Sequence, residues 1–159
     1  TTGNSAVGTA LTRDAYSSGN IIDLFVLEKA TALQFQKASP TYKKELLEAI
    51  QDKKMLTDQV VVNDGLIRTI DLSLTLRVDR AYREIEEDVK VNVGSIITSF
   101  FEVGEGQFGK DFLKVELERA IFNLPQIRFA TLDNIPDVVR LDPNEIIQLN
   151  NFSLDLVFV

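Results

Sequence analysis

The sequence predicts an α+β protein made of two small units. Three features predict it. From Ile70 to Asp79 apolar and polar residues alternate without a break, the period of a strand with one covered and one wet face. Directly after it, and again over residues 111–124, apolar residues recur at helical spacing instead. Before it, residues 1–64 carry their own helix flanked by short apolar strands. We therefore expect a ββαβ unit over 1–64, either complete or the end of a larger domain. A second unit over 65–159 is expected in the order β-α-α-β-β, an antiparallel sheet covered on one side by two helices.

In the first unit, "TTGNSAVGTALTRDAYSSGN" is rich in Gly, Ser and Thr, with Val7, Thr9, Leu11 and Arg13 on one face of a short strand. "SSGN" reads as a turn, since Gly19 and Asn20 tolerate positive φ, and "IIDLFVL" follows as a strand, giving a hairpin. Ser39 and Pro40 then mark a helix start, as N-cap and first helical residue. Tyr42, Leu46, Leu47 and Ile50 share its apolar face, and Lys53 and Lys54 sit where the negative end of the helix dipole favours cations. "QVVV" is a strand and "NDG" (63–65) a turn. About 64 residues bury only a thin core, so this unit is expected to lean on a neighbour.

In the second unit, Ile70, Leu72, Leu74, Leu76 and Val78 form the covered face of the long strand. The following helix aligns Ile85, Val89, Val93, Ile96, Ile97 and Phe100, with Glu84, Glu86, Glu87 and Asp88 crowding its N-terminal half. Gly94 lies inside it at a cost of about 1 kcal/mol, and close packing against that position would explain it. "EVGEGQFG" is a loop; a second helix over 111–124 buries Leu113, Leu117, Ala120, Ile121 and Leu124 and stops before Pro125. "QIRFATL" is a strand, "IPDVVRLDPNEIIQL" a Pro-punctuated connection with a short extended piece, and "FSLDLVFV" a closing strand with Phe152, Leu154, Leu156 and Phe158 on one face.

Composition narrows the chemistry. The 159 residues carry a formal charge of −7, with 7 Lys/Arg against 8 Asp/Glu in residues 1–64 and 10 against 16 in residues 65–159. Such acidity argues against nucleic-acid backbones and anionic membranes as partners. With no Cys and no His, thiol nucleophiles, disulfides, thiolate or imidazole metal ligands and the commonest general base are absent. No apolar run is long enough to cross a bilayer, and the chain opens Thr-Thr-Gly without a Met, as an excised piece of a longer protein would.

The remaining candidate motifs have plainer readings. Carboxylates in "REIEED" and "KVELER" fall on helix faces that the period assigns to solvent, whereas acid–base catalysis needs one of a pair desolvated across a cleft. "VNDG" and "LDPNE" lack the twelve-residue spacing of a calcium loop and read as turns. "VGEGQFG" follows a helix and lacks the Lys-Ser/Thr ending of a phosphate loop. Ten Phe and no Trp are more telling. Phe100, Phe101, Phe108 and Phe112 bracket the glycine loop; each is core by burial statistics, and the cluster together is the candidate protein–protein interface.

Four segments in order resemble the C-terminal part of the baseplate J-like, or baseplate wedge, family of contractile phage tails. "GNIIDLFVL" is similar to the family's Val-Asp-x-x-Val-Leu strand. "YKKELLEAIQDKKMLTDQVVV" is similar to its helix ending in a basic-x-Leu-Thr-Asp-x-Val-x-Val phrase. "IDLSLTLRVD" with the acidic helix resembles its long alternating strand and following helix, and "GQFGKDFLKVELERAIFNLPQIRFATL" its Gly-aromatic-Leu helix ending in x-x-Pro-x-Val and a strand. The likeness covers roughly nine tenths of the chain on the same pattern argument, and the arm "TTGNSAVGTALTRDAY" has no counterpart. It implies a structural virion protein, assembled in the host cytoplasm into the tail baseplate. Its implied partners are other copies of itself and the other wedge and sheath-initiating proteins, with no catalytic residues, cofactor, metal or small-molecule substrate. The rival readings are a carboxylate-based glycan hydrolase of a tail, which needs two carboxyls facing across a groove, and a monomeric binding module, which needs no exposed apolar patch.

Overall fold

A computed structural model of the protein describes residues 20–53 and 58–159. The fold is α+β, in two compact units: Thr1–Ala30 with Phe35–Leu66, and Thr31–Gln34 with Ile67–Val159. The strand expected over residues 7–13, most of the turn that follows it, and Lys54 lie outside the described residues.

The first unit contains β1 (Asn20–Lys29), β2 (Phe35–Lys37), α1 (Pro40–Gln51) and β3 (Asp58–Asp64). β1 is central. β2 pairs with it antiparallel, from Leu27 opposite Lys37 to Lys29 opposite Phe35. β3 pairs with it parallel, from Asn20 opposite Asp58 to Val26 opposite Asp64. Two parallel neighbours cannot be joined by a tight turn, and α1 lies in the crossover. The helix begins as its sequence requires: Tyr42 N donates to Ser39 Oγ at 3.1 Å, and Pro40 occupies the first turn. Ser39 in turn donates through N and Oγ to Glu28 Oε1, at 3.4 and 3.2 Å, which ties the helix start to β1.

Four details differ from expectation. Tyr42 is exposed instead of sharing the covered face of α1, and the helix ends at Gln51, leaving Lys53 beyond its last turn. The three-residue β2 was not anticipated. "NDG" is not a turn: β3 runs through Asn63 and Asp64, and Gly65 alone separates it from the next strand. Both polar side chains find partners within the unit, which removes their need for a solvated bend. Asn63 Nδ2 donates to Asp23 Oδ1 at 3.1 Å, and Asp64 pairs with Lys43 of α1 at 2.6 Å.

The second unit runs from β4 (Leu66–Val78) through a 3-10 helix (Arg80–Ile85) to α2 (Glu86–Phe100). It continues through β5 (Phe112–Leu113), α3 (Lys114–Phe122), β6 (Ile127–Leu132), β7 (Val138–Val139) and β8 (Glu145–Phe158). The main sheet has the order β6-β4-β8, and β5 and β7 form a two-stranded sheet. Leu72, Leu74, Leu76 and Val78, each no more than 2% exposed, pack with Val89, Val93 and Ile97 of α2 and Leu117 and Ile121 of α3. The alternation of β4 thus becomes a covered inner face and an outer face of Asp71, Ser73, Thr75 and Arg77.

The antiparallel expectation holds for the β4–β6 pair and fails for β8. Val159 N donates to Val78 O at 2.9 Å, and Arg80 N donates to Val159 O at 3.1 Å. One residue bonding to two residues that flank its opposite number is the parallel pattern. The chain can arrive in this direction because β6, antiparallel to β4, already ends toward the start of β4, and the connection carrying β7 crosses from there to the other edge of β4. Strand β8 is also longer than "FSLDLVFV", because Ile146 and Leu149 extend its buried side. Helix α3 is shorter than 111–124: Phe112 and Leu113 are extended and pair with Val139 and Val138.

Two glycines have opposite roles. Gly109 sits at φ +69°, and a Cβ there would stand 3.1 Å from Pro143 Cα; its N–H also donates to Glu145 O at 2.9 Å. At Gly94 a Cβ would meet the Phe152 ring at 3.5 Å, an ordinary contact, so packing alone does not require glycine at that position. Gly109→Ala should therefore destabilise the protein by about 1–2 kcal/mol, and Gly94→Ala should stabilise it by about 0.5–1 kcal/mol. Urea unfolding of the two variants, followed by circular dichroism, checks both signs.

Candidate functional site

The four phenylalanines singled out in the sequence do not share one environment. Phe100 ends α2, Phe101 follows it, and Phe112 enters β5, so the loop between them returns the chain to its starting point. The three rings touch: centroids lie 5.3 Å apart for Phe100 and Phe101, 5.9 Å for Phe100 and Phe112, and 5.5 Å for Phe101 and Phe112. The first two contacts are edge-to-face and the third is stacked, both favourable aromatic geometries. Phe101 and Phe112 are buried and Phe100 is half-buried against the same core. These three are therefore packing residues, and the expected interface role cannot belong to Phe101 or Phe112. Only Phe108, 37% exposed, presents its ring on the loop.

The loop is held from several sides. Gly106 N donates to Val103 O at 3.2 Å, the Gly109 N–H is bound as described, and Asp111 Oδ1 accepts from Leu141 N at 2.8 Å. "LDPNE" is the turn expected of it, closed by Glu145 N to Asp142 O at 2.9 Å and Asp142 N to Glu145 Oε1 at 3.2 Å.

Other exposed apolar side chains were not singled out from the sequence. Phe129 lies on the outer face of the main sheet, opposite Arg77, whose guanidinium carbon is 5.9 Å from its ring centroid. A register shift between Arg77 and Val78 breaks the alternation of β6, so the outward phase of Phe129 was not readable from "QIRFATL". Val115 and Phe122 are exposed seven residues apart on α3, and Val91 is exposed on α2. Helical spacing could have marked the first pair, because neither falls on the apolar face of α3.

Polar groups of the unit complete its backbone bonding. Beyond the end of β6, Asn134 substitutes for a strand: its Oδ1 accepts from Ser73 N at 2.9 Å and its Nδ2 donates to Asp71 O at 2.8 Å. Thr75 Oγ1 donates to Asp133 Oδ2 at 2.5 Å. Glu118 of α3, drawn from the "KVELER" run, accepts from Leu132 N at 2.9 Å, on the side of β6 away from β4. In the "REIEED" run, Glu86 and Glu87 flank Lys90 at 2.8 and 3.1 Å and hold its ammonium above the ordinary lysine value. Asp79 caps the 3-10 helix by accepting from Ala81 N at 3.0 Å and pairs with the Arg128 guanidinium. The Ala81 N–H and then Arg128 hold its carboxyl below the ordinary aspartate value. Among the described residues no group of three or more acidic side chains is arranged to hold a metal ion.

No family model matches the chain, and no curated protein matches it.

Two outcomes follow from this geometry. Phe112→Ala should cost about 3–5 kcal/mol, while Phe108→Ala should stay within about 0.5 kcal/mol of the parent; urea midpoints separate them. Asp79, with its folded pKa lowered, contributes stability that is present above the unfolded aspartate pKa of about 3.9 and lost as pH falls through the folded value. Asp79→Asn should therefore lower the unfolding midpoint at pH 7, and its difference from the parent should shrink in a series of melts below pH 4.

Proposed function

We propose that the protein is a structural component of a contractile phage tail baseplate wedge, acting through protein–protein contacts within the virion. The observation that carries an assembly role is the state of the first unit. Among its described residues Ala38 is the only fully buried apolar side chain. Leu24, Phe25 and Val26 of β1, Leu46 and Leu47 of α1, and Val60, Val61 and Val62 of β3 are only half-buried. Fully burying such a side chain is worth about 1.5–3 kcal/mol, so a partner that covers them gains what the isolated chain forgoes. Among the described residues β2 and β3 are also the edges of their sheet, where strand addition can occur.

The baseplate assignment rests on the ordered likeness of four segments to that family, from "GNIIDLFVL" to "GQFGKDFLKVELERAIFNLPQIRFATL". The acidic, thiol-free and imidazole-free composition favours contacts between protein surfaces over chemistry at a site. The partners are other copies of the chain and other wedge and sheath-initiating proteins.

The test is co-purification with the tail proteins encoded beside it, followed by light scattering and electron microscopy. The chain should form a defined complex with at least one wedge component. Leu47→Asp and Val61→Asp, which charge the half-covered surface, should weaken that complex at least tenfold. A chain that stays monomeric throughout a dilution series and elutes apart from every tail protein would overturn the proposal.

A further inference from the structure

The second unit contains a cavity of about 310 Å³, at the small end of the roughly 300–1,000 Å³ typical of ligand pockets. It opens where β8 loses its regular inward phase. Ile146 and Leu149 are buried, Asn150 and Asn151 are both exposed, and inward packing resumes at Phe152, Leu154 and Leu156. Two consecutive exposed residues interrupt the strand's buried run beside the cavity, which is also bounded by Thr98 of α2 and by the Thr31–Gln34 segment of the same unit.

Among the described residues no lining side chain is charged, although 26% of the chain's residues are. A phosphate, carboxylate or ammonium ligand would find no counter-ion there. The polar lining is neutral, and its hydrogen-bonding capacity is split between donors and acceptors. Asn150 Nδ2 donates to Asp71 Oδ1 at 2.8 Å on the outer face of the sheet, so its amide is held away from the cavity. Asn151 Oδ1 accepts from Phe152 N at 2.9 Å, which leaves its amide N–H groups to donate. The Thr98 hydroxyl donates to Gly94 O and Ser95 O, both at 3.0 Å, so its lone pairs can accept. Thr31 Oγ1 accepts from Leu33 N at 3.3 Å and keeps its hydrogen free to donate. Gln34 adds an amide with both capacities. Leu33, Leu149 and Phe152 form the apolar part of the wall.

We propose that this cavity binds one ring of a neutral sugar. A hydroxyl group donates and accepts at once, which suits interleaved donors and acceptors that each have spare capacity. The C–H face of a pyranose suits the aromatic and aliphatic wall, and the volume admits one ring. The sugar is a ligand and undergoes no reaction. This inference stands on the cavity alone and holds whether or not the chain is a wedge component.

Titration of the full chain with glucose, galactose and N-acetylglucosamine, followed by amide chemical shifts, tests it. Glucuronate and glucose 6-phosphate are the anionic controls. At least one neutral sugar should shift amides of Thr31–Gln34, Thr98 and Asn150–Phe152, with a dissociation constant on the order of 1–10 mM. Gln34→Ala, an exposed change that leaves the fold intact, should weaken that binding about tenfold, as should Asn151→Ala. Absence of shifts at saturating sugar, shifts scattered over other surfaces, equal binding to Gln34→Ala, or preference for the anionic sugars would each overturn it. Shifts of the same amides that follow protein concentration instead of sugar would overturn it as well, and would assign the cavity to a second copy of the chain.

Discussion

The second unit depends on the inner face of β4. Four side chains two residues apart, Leu72, Leu74, Leu76 and Val78, lie in the core while the residues between them do not. A one-residue slip of this strand would exchange the two faces completely. Both long neighbours bond to it, one running with it and one against it. The helices are attached through the same face, because Val89, Val93 and Ile97 of α2 and Leu117 and Ile121 of α3 close over it. Truncating any of the β4 leucines to alanine would remove about 2–5 kcal/mol, a large share of what a domain of this size has to spare.

Once β4 is fixed, the remaining difficulty is the backbone at the margins of the sheet. β6 is shorter than β4, so Ser73 N and Asp71 O would lose their partners where β6 ends. Asn134 meets both with the two ends of one amide. On the opposite edge of β6, Glu118 reaches from α3 to Leu132 N. These polar side chains thus act as short substitutes for strand, a use of Asn and Glu that has nothing to do with catalysis. Arg128, the extra residue at the register shift of β6, sends its side chain to Asp79, which caps the turn after β4.

What could be read from the sequence was whatever has a period or a cap. The alternation from Ile70 to Val78, the Ser39–Pro40 helix start and the face of α2 from Val89 to Ile97 carry local signals that tertiary structure had no reason to override, whereas Ile85, expected on that face, lies exposed in the preceding 3-10 helix. Strand direction has no such signal. "FSLDLVFV" alternates identically whether it runs with β4 or against it, so the parallel pairing was invisible. β2 was missed because three residues carry no period. "NDG" misled because its turn propensity assumes solvated side chains, whereas Asp23 and Lys43, distant in sequence, bind Asn63 and Asp64. Of the four candidate phenylalanines, three meet around a common point, and only three-dimensional closure of the loop distinguishes a ring that packs from one that faces outward.

The parallel pairing of β8 with β4 has a mechanical consequence. Tension carried along the chain would enter this pair at Leu66, the start of β4, and leave at Val159, beside the end of β4. The two strands would then be pulled lengthwise past each other, loading their hydrogen bonds in shear. An antiparallel β8 with its end beside Leu66 would instead peel away one bond at a time. The direction of one strand, which no residue pattern announces, decides whether this unit yields to a pull gradually or resists it with the whole ladder at once.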